Sequence, residues 1–112
     1  MSRARLESLG EGRFRVSGVL DASTASDVLE ESEARFAQAS RIDVDLGGVG
    51  ESDSAGLALL IEWLRMARQW QKGIRFANVP AQIEALARIS EVEDLIGGAE
   101  KKEKGQEEKK SG

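Results

Sequence analysis

Ser54 is the residue whose type and position could carry chemistry, because it follows Asp53 at the end of a glycine-rich stretch and precedes a long apolar helix pattern. A serine nucleophile needs a general base, yet the chain contains no His and no Lys stands near Ser54. The stretch also lacks the Lys of a nucleotide-binding loop, and Glu51 and Asp53 would repel a phosphate. We therefore expect no enzymatic activity, no nucleotide site and an exposed hydroxyl at a helix start.

Carboxylates near this stretch are the second candidate for chemistry. Asp43 and Asp45 alternate with apolar residues, so a strand would place both on one face. A metal ion would need further oxygen ligands, and only Glu51 and Asp53 follow nearby. The absence of Cys removes disulfides and thiolate ligands. We expect no metal and no cofactor.

Charge divides the chain into two parts. Residues 99–112 carry five Lys, four Glu and no large apolar side chain, which predicts a disordered tail after a domain spanning residues 1–98. The formal net charge is −4, of which the tail contributes +1 and the preceding part −5. An acidic domain is a poor partner for nucleic acid. The charged N-terminus and the lack of a long apolar run predict a cytosolic protein with no direct membrane insertion.

The elements that must position Ser54 alternate between strand and helix patterns. Residues 3–8 and 13–17 predict a hairpin, and Asp21 can cap an amphipathic helix with an acidic outer surface. A strand over 42–46, a glycine loop, the helix from Ser54, a strand over 74–77 and a helix after Pro80 follow. This order predicts an α/β sandwich: a small, mixed, mostly parallel sheet with helices packed against it.

The helix from Ser54 has two apolar stripes on opposite sides. The first contains Leu57, Leu60, Ile61, Leu64 and Ala67, and we expect it to face the core. The second contains Leu59, Trp63, Met66 and Trp70, whose partner is either another element of the fold or another protein. We expect one end of this second stripe in the core and the other exposed, with Trp63 and Met66 as exposed partner contacts.

Two segments around the helix start carry a family resemblance. Asp45-Leu46-Gly47-Gly48-Val49 and Asp53-Ser54-Ala55-Gly56-Leu57 resemble the signature of STAS domains, and the element order agrees over residues 3–96. The resemblance implies the STAS fold and a protein-binding role. In the anti-sigma factor antagonists of this family the serine of the motif is a phosphorylation switch, which by position is Ser54.

One branch of the family is similar in further respects. The run from Asp53 to Leu60, the segment Ser17-Gly18-Val19-Leu20-Asp21 and the compact length resemble the MlaB subunits of the Mla phospholipid ABC transporter in Gram-negative bacteria. This implies a cytoplasmic subunit, peripheral to the inner membrane, that binds the ATPase of a complex with permease and lipid-binding subunits. The partner contacts that we expect are Ser52, Asp53, Ser54, Ala55, Leu59, Trp63 and Met66. An anti-sigma factor antagonist switched by phosphorylation of Ser54 is the alternative.

Overall fold

The computed structural model describes residues 3–96. These residues form the strands β1 (Ala4–Gly10), β2 (Arg13–Leu20), β3 (Ile42–Ser52) and β4 (Ile74–Ala77). The helices are α1 (Ala22–Gln38), α2 (Ser54–Gln69), α3 (Ala81–Ile89) and the single turn α4 (Glu93–Ile96). The predicted tail, 99–112, lies outside the described residues.

The four strands form one sheet in the order β1-β2-β3-β4. β1 and β2 are antiparallel, whereas β2 with β3 and β3 with β4 are parallel. The parallel pairs follow from the helices that connect them, since a parallel neighbour requires a crossover. The predicted mixed, mostly parallel sheet is confirmed.

One face of the sheet is buried beneath the helices and the other is polar. Phe14, Val44 and Phe76 lie in register across three strands and are all buried. Residues that alternate with them, such as Arg15 and Asp45, are exposed or half-buried. Side chains alternate between the two faces of a strand, so this pattern assigns one face to the core and one to solvent. None of the helices within residues 3–96 is both long enough and apolar enough to span a bilayer.

The glycine-rich stretch belongs to β3, so the prediction of a loop there was wrong. Its register against β2 shifts twice: Arg15 and Ser17 pair with Asp45 and Gly48, and Gly18 and Val19 pair with Val49 and Glu51. Such shifts place extra residues in β3 as bulges, which glycine accommodates. A Cβ on Gly48 would lie 2.7 Å from the Cβ of Ser17, so the missing side chain permits close strand pairing.

Both apolar stripes of α2 contribute to the core. Leu57, Leu60 and Ala67 of the first stripe are buried as expected, whereas Ile61 and Leu64 are only half-buried at its edge. In the second stripe Leu59, Trp63 and Met66 are buried, and the exposed end is Trp70, with 36% of its surface accessible. The expectation that Trp63 and Met66 are exposed was therefore wrong.

The reason is that α1 packs beside α2 and provides a partner for the second stripe. The Trp63 ring lies 5.2 Å from the Phe36 ring of α1 and 6.4 Å from Phe76 of the sheet, between centroids. Its indole Nε1 donates a hydrogen bond of 2.8 Å to Ser32 Oγ of α1, whose hydroxyl in turn donates to Leu29 O at 2.7 Å. The second stripe thus joins two helices to the sheet.

Candidate functional site

Ser54 lies where β3 ends and α2 begins, as its first helical residue. Asp53 is the N-cap and accepts a hydrogen bond of 2.8 Å from the backbone N–H of Ala55 through Oδ1. This bond satisfies one of the amides that a helix start leaves unpaired, which explains why the helix begins here. The predicted N-terminal boundary of the long helix is confirmed.

The corner between β3 and α2 is held by the backbone as well. Asp53 N–H donates to Leu20 O at 3.2 Å, which ties the corner to the end of β2. Gly56 N–H donates to Asp53 O at 3.0 Å. We refer to Ser52, Asp53, Ser54 and Ala55 as the Ser54 corner. Its backbone position is therefore fixed by the strand on one side and by the helix on the other.

Gly56 allows α2 to begin close to β3 and α3. A Cβ there would lie 1.9 Å from Ser52 Oγ and 3.1 Å from Ile83 Cδ1. Ile83 is fully buried, and Gly56 itself is buried. The Ser52 hydroxyl donates to Asp53 O at 3.1 Å. The first turn of α2 is thus packed on its inner side, while Asp53 and Ser54 are exposed.

The chemistry available at the Ser54 corner is that of a hydroxyl among carboxylates. Within residues 3–96, no side chain or backbone group hydrogen-bonds to the Ser54 hydroxyl. Glu51 and Asp53 are both exposed close to it in sequence. No group of three or more acidic residues in the described part of the chain could hold a metal ion. What this corner offers is an exposed hydroxyl on a backbone that the strand and the helix hold in place.

Comparison with known proteins agrees with this architecture. The profile of the family described as "Mlab, STAS domain" matches residues 5–97. The chain belongs to the MlaB-type STAS family. A solved structure of the anti-sigma factor antagonist SpoIIAA in its unphosphorylated form is similar, with a TM-score of 0.65 and 14% sequence identity over 83% of this chain and 84% of that chain. At this identity the similarity concerns the fold alone. A comparison with curated proteins finds no match.

STAS domains generally mediate protein–protein interactions, and this one brings together four of the seven predicted contact residues. The Ser54 corner forms one continuous segment in which Asp53 and Ser54 are exposed and Ser52 and Ala55 are half-buried. The other three predicted contacts lie elsewhere: Leu59, Trp63 and Met66 are inside the core.

Sequence reasoning missed the part of α2 that does reach the surface beyond Ser54. Ala58 and Arg65 are exposed and Ile61 is half-buried. They lie four, seven and eleven residues after Ser54, so the helical period places them on one face with it. That spacing is visible in the sequence, but the prediction assigned Ile61 to the core-facing first stripe and named neither Ala58 nor Arg65 as a contact. We refer to Ala58, Ile61 and Arg65 as the outer stripe of α2.

Proposed function

We propose that this STAS domain is the non-catalytic subunit of an inner-membrane phospholipid-transport ABC transporter. In this role it binds the ATPase subunit from the cytoplasmic side and supports assembly and activity of the complex with its permease and lipid-binding subunits. Membership of the MlaB-type family supports the proposal. The observation that carries it is the Ser54 corner, an exposed and rigid surface without the groups of a catalytic site.

The contact surface that we propose comprises the Ser54 corner and the outer stripe of α2. A helix that is fixed in the core by Trp63 presents its opposite side without having to order on binding. Preorganisation of this kind reduces the entropic cost of association. The apolar part of Ile61 and the cationic Arg65, whose side chain is 65% exposed, give the stripe both apolar area and charge.

An anti-sigma factor antagonist switched at Ser54 is the second candidate. The unbonded, exposed hydroxyl of Ser54 is accessible to a kinase. A phosphate there would add about −1.5 to −2 charge beside Glu51 and Asp53, which the α2 N-terminus would offset only in part. The similar fold of an anti-sigma factor antagonist is compatible with this candidate. Co-purification of an ATPase subunit favours the transporter, and phosphate on Ser54 in the protein isolated from its host favours the switch.

The test of the contact surface is Ser54→Glu, measured by co-purification with the co-expressed ATPase subunit. Ser23→Glu is a matched control, because Ser23 is also exposed, in the first turn of α1 behind the N-cap Asp21. A carboxylate in the first turn of a helix is favourable by about 0.3–1 kcal/mol, so both variants should fold. We expect Ser54→Glu to abolish co-purification and Ser23→Glu to leave it unchanged.

Two outcomes would contradict this surface. If Ser54→Glu co-purifies with the ATPase as well as the original protein does, the Ser54 corner is not in the contact. If both variants lose the ATPase equally, the defect is not specific to Ser54. The melting temperature of each variant, measured on the same samples, separates a binding defect from unfolding.

A further inference from the structure

An apolar groove opens beside the second half of α2. Its volume is about 550 Å³. Half-buried aliphatic side chains line it from two elements: Ile61 and Leu64 from α2 and Ile74 from the start of β4. Leu95 of α4 also lines the groove, and 52% of its surface is exposed. A concave apolar surface of this size, open to solvent, is typical of sites that receive a side chain or a ligand.

The charged side chains that line this groove are all cationic. They are Arg65 and Arg68 of α2 and Lys72 in the turn after it. Lys72 Nζ donates to two carbonyls at the end of α1, at 2.9 and 2.6 Å, and Arg65 Nη1 lies 3.6 Å from Glu62 Oε1. Three cations beside one carboxylate give the groove a positive edge. Residues 3–96 as a whole are acidic, with 11 Lys and Arg against 16 Asp and Glu.

The groove continues the surface that we propose for the ATPase subunit. Ile61 and Arg65 belong both to the outer stripe of α2 and to the lining of the groove. At about 1.5 Å per residue, Arg68 lies about 21 Å along the helix from Ser54. A standard interface covers about 800 Å² of each partner, a patch about 30 Å across, so one subunit can contact both.

We propose that the groove receives an amphipathic segment of the ATPase subunit, an inference that rests on the proposed function. The segment inserts a large apolar side chain against Leu64 and Leu95 and places a carboxylate against Arg68. Removal of the apolar surfaces from water stabilises the contact. A guanidinium binds a carboxylate through two parallel hydrogen bonds, which fixes the orientation of the segment.

Other occupants match the groove less well. A second copy of this chain would have to present acidic and apolar groups together. Among residues 3–96 the exposed large apolar side chains are Trp70, Ile89 and Leu95, and all lie outside the acidic helix α1. The segment 99–112 contains no large apolar side chain. An anionic membrane would repel a domain whose net charge is −5.

The test compares two matched double variants of the full chain, titrated against the immobilised ATPase subunit and followed by bio-layer interferometry. R68E/L95A alters the groove, and R88E/I89A alters exposed side chains of α3 that do not line it. Arg68 and Arg88 are both exposed, next-to-last residues of a helix. In each case the arginine carbonyl accepts a hydrogen bond of 3.1 Å from the N–H three residues later. Leu95 and Ile89 are both exposed.

We expect R68E/L95A to bind the ATPase subunit about tenfold more weakly than the original protein, and R88E/I89A to bind within about twofold of it. The defect should be larger at low than at high ionic strength, because salt screens exposed charges. Arg68→Lys should weaken binding less than Arg68→Glu, since it keeps the positive charge. Melting temperatures are measured on the same samples, and if R68E/L95A fails to fold, R68E against R88E replaces the pair.

Two results would place the groove outside the contact and leave the proposed function standing. In one, the original protein and R68E/L95A bind the ATPase subunit equally well. In the other, the two double variants weaken binding equally. If the original protein does not bind the ATPase subunit at all, the proposed function is wrong and this inference is wrong with it.

Three further measurements identify a different occupant. Light scattering would show a dimer that R68E/L95A dissociates if the groove binds a second copy. Co-sedimentation with vesicles of phosphatidylglycerol and phosphatidylcholine would be lost in R68E/L95A if it binds lipid. Amide chemical shifts of residues 99–112 would differ between the original protein and R68E/L95A if this segment fills the groove. Any of these results would overturn the assignment of the groove to the ATPase subunit.

Discussion

Trp63→Ala is the substitution that best separates the core from the partner surface. The Trp63 side chain is fully buried between α1, α2 and the sheet, and its indole N–H is bonded to Ser32 Oγ. Truncation of a buried Trp typically costs about 3–5 kcal/mol of folding free energy. Because the whole free energy of unfolding of such a domain is about 5–15 kcal/mol, the variant should be severely destabilised.

The second tryptophan of the chain is a matched control. Trp70, at the end of α2, is 36% exposed, and the Nζ of Lys72 lies 5.0 Å from its ring centroid. Loss of a partly exposed ring and one exposed cation–π contact should cost about 1–2 kcal/mol. Urea denaturation of both variants should therefore show a difference of at least about 1 kcal/mol, with Trp63→Ala the less stable.

The contribution of the hydrogen bond between Trp63 and Ser32 to the free energy of unfolding can be measured separately. Ser32→Ala keeps the ring but leaves a buried indole N–H without an acceptor, which should cost about 1–3 kcal/mol. Trp63→Ala has no indole left, so adding Ser32→Ala to it should cost less than Ser32→Ala alone. If Trp63→Ala is no less stable than Trp70→Ala, or if folded Trp63→Ala loses ATPase binding specifically, the assignment of Trp63 to the core is wrong.

Two further predictions concern packing and pH. Gly56→Ala should destabilise the domain by about 1–3 kcal/mol, because its Cβ would lie 1.9 Å from Ser52 Oγ and the helix-propensity gain of about 1 kcal/mol offsets only part of the strain. Urea denaturation should show partial recovery in Ser52→Ala/Gly56→Ala, and a neutral Gly56→Ala would contradict the close approach of α2 to β3. Hydrogen bonds from Asn78 and Gly47, with Arg15 nearby, hold the pKa of Asp45 below its ordinary value of 3.8. A carboxylate with a lowered pKa in the folded state stabilises the protein above the unfolded pKa, and this stabilisation is lost as pH falls through the folded pKa. Between about pH 7 and about pH 3, the Asp45→Asn variant should therefore lose less stability than the original protein. Equal losses in urea denaturation at the two pH values would contradict this role.

Local signals in the sequence were sufficient to predict the start of α2. An N-cap acts within three residues, so Asp53 could be recognised without knowledge of the fold. The hairpin and the parallel strands followed from the order of short periodic segments. The bulged end of β3 could not be predicted, since it depends on pairing with β2, about thirty residues earlier. Glycines that permit a loop and glycines that permit close strands are alike in sequence.

The burial of Trp63 illustrates what periodicity leaves undetermined. Helical spacing predicts the angle between two apolar stripes but does not identify which neighbour covers each of them. Ser32 was an overlooked signal: a polar residue within the apolar face of α1 needs a buried partner, and the indole N–H of Trp63 is one. Once Ser32 and Trp63 are paired, the middle of the second stripe is directed toward α1, and only its end at Trp70 reaches the surface. The partner surface that we propose is the side of α2 that starts at Ser54 and continues through Ala58 to Arg65. Its side chains are mixed in polarity and smaller, so it has the least periodic signal in the sequence.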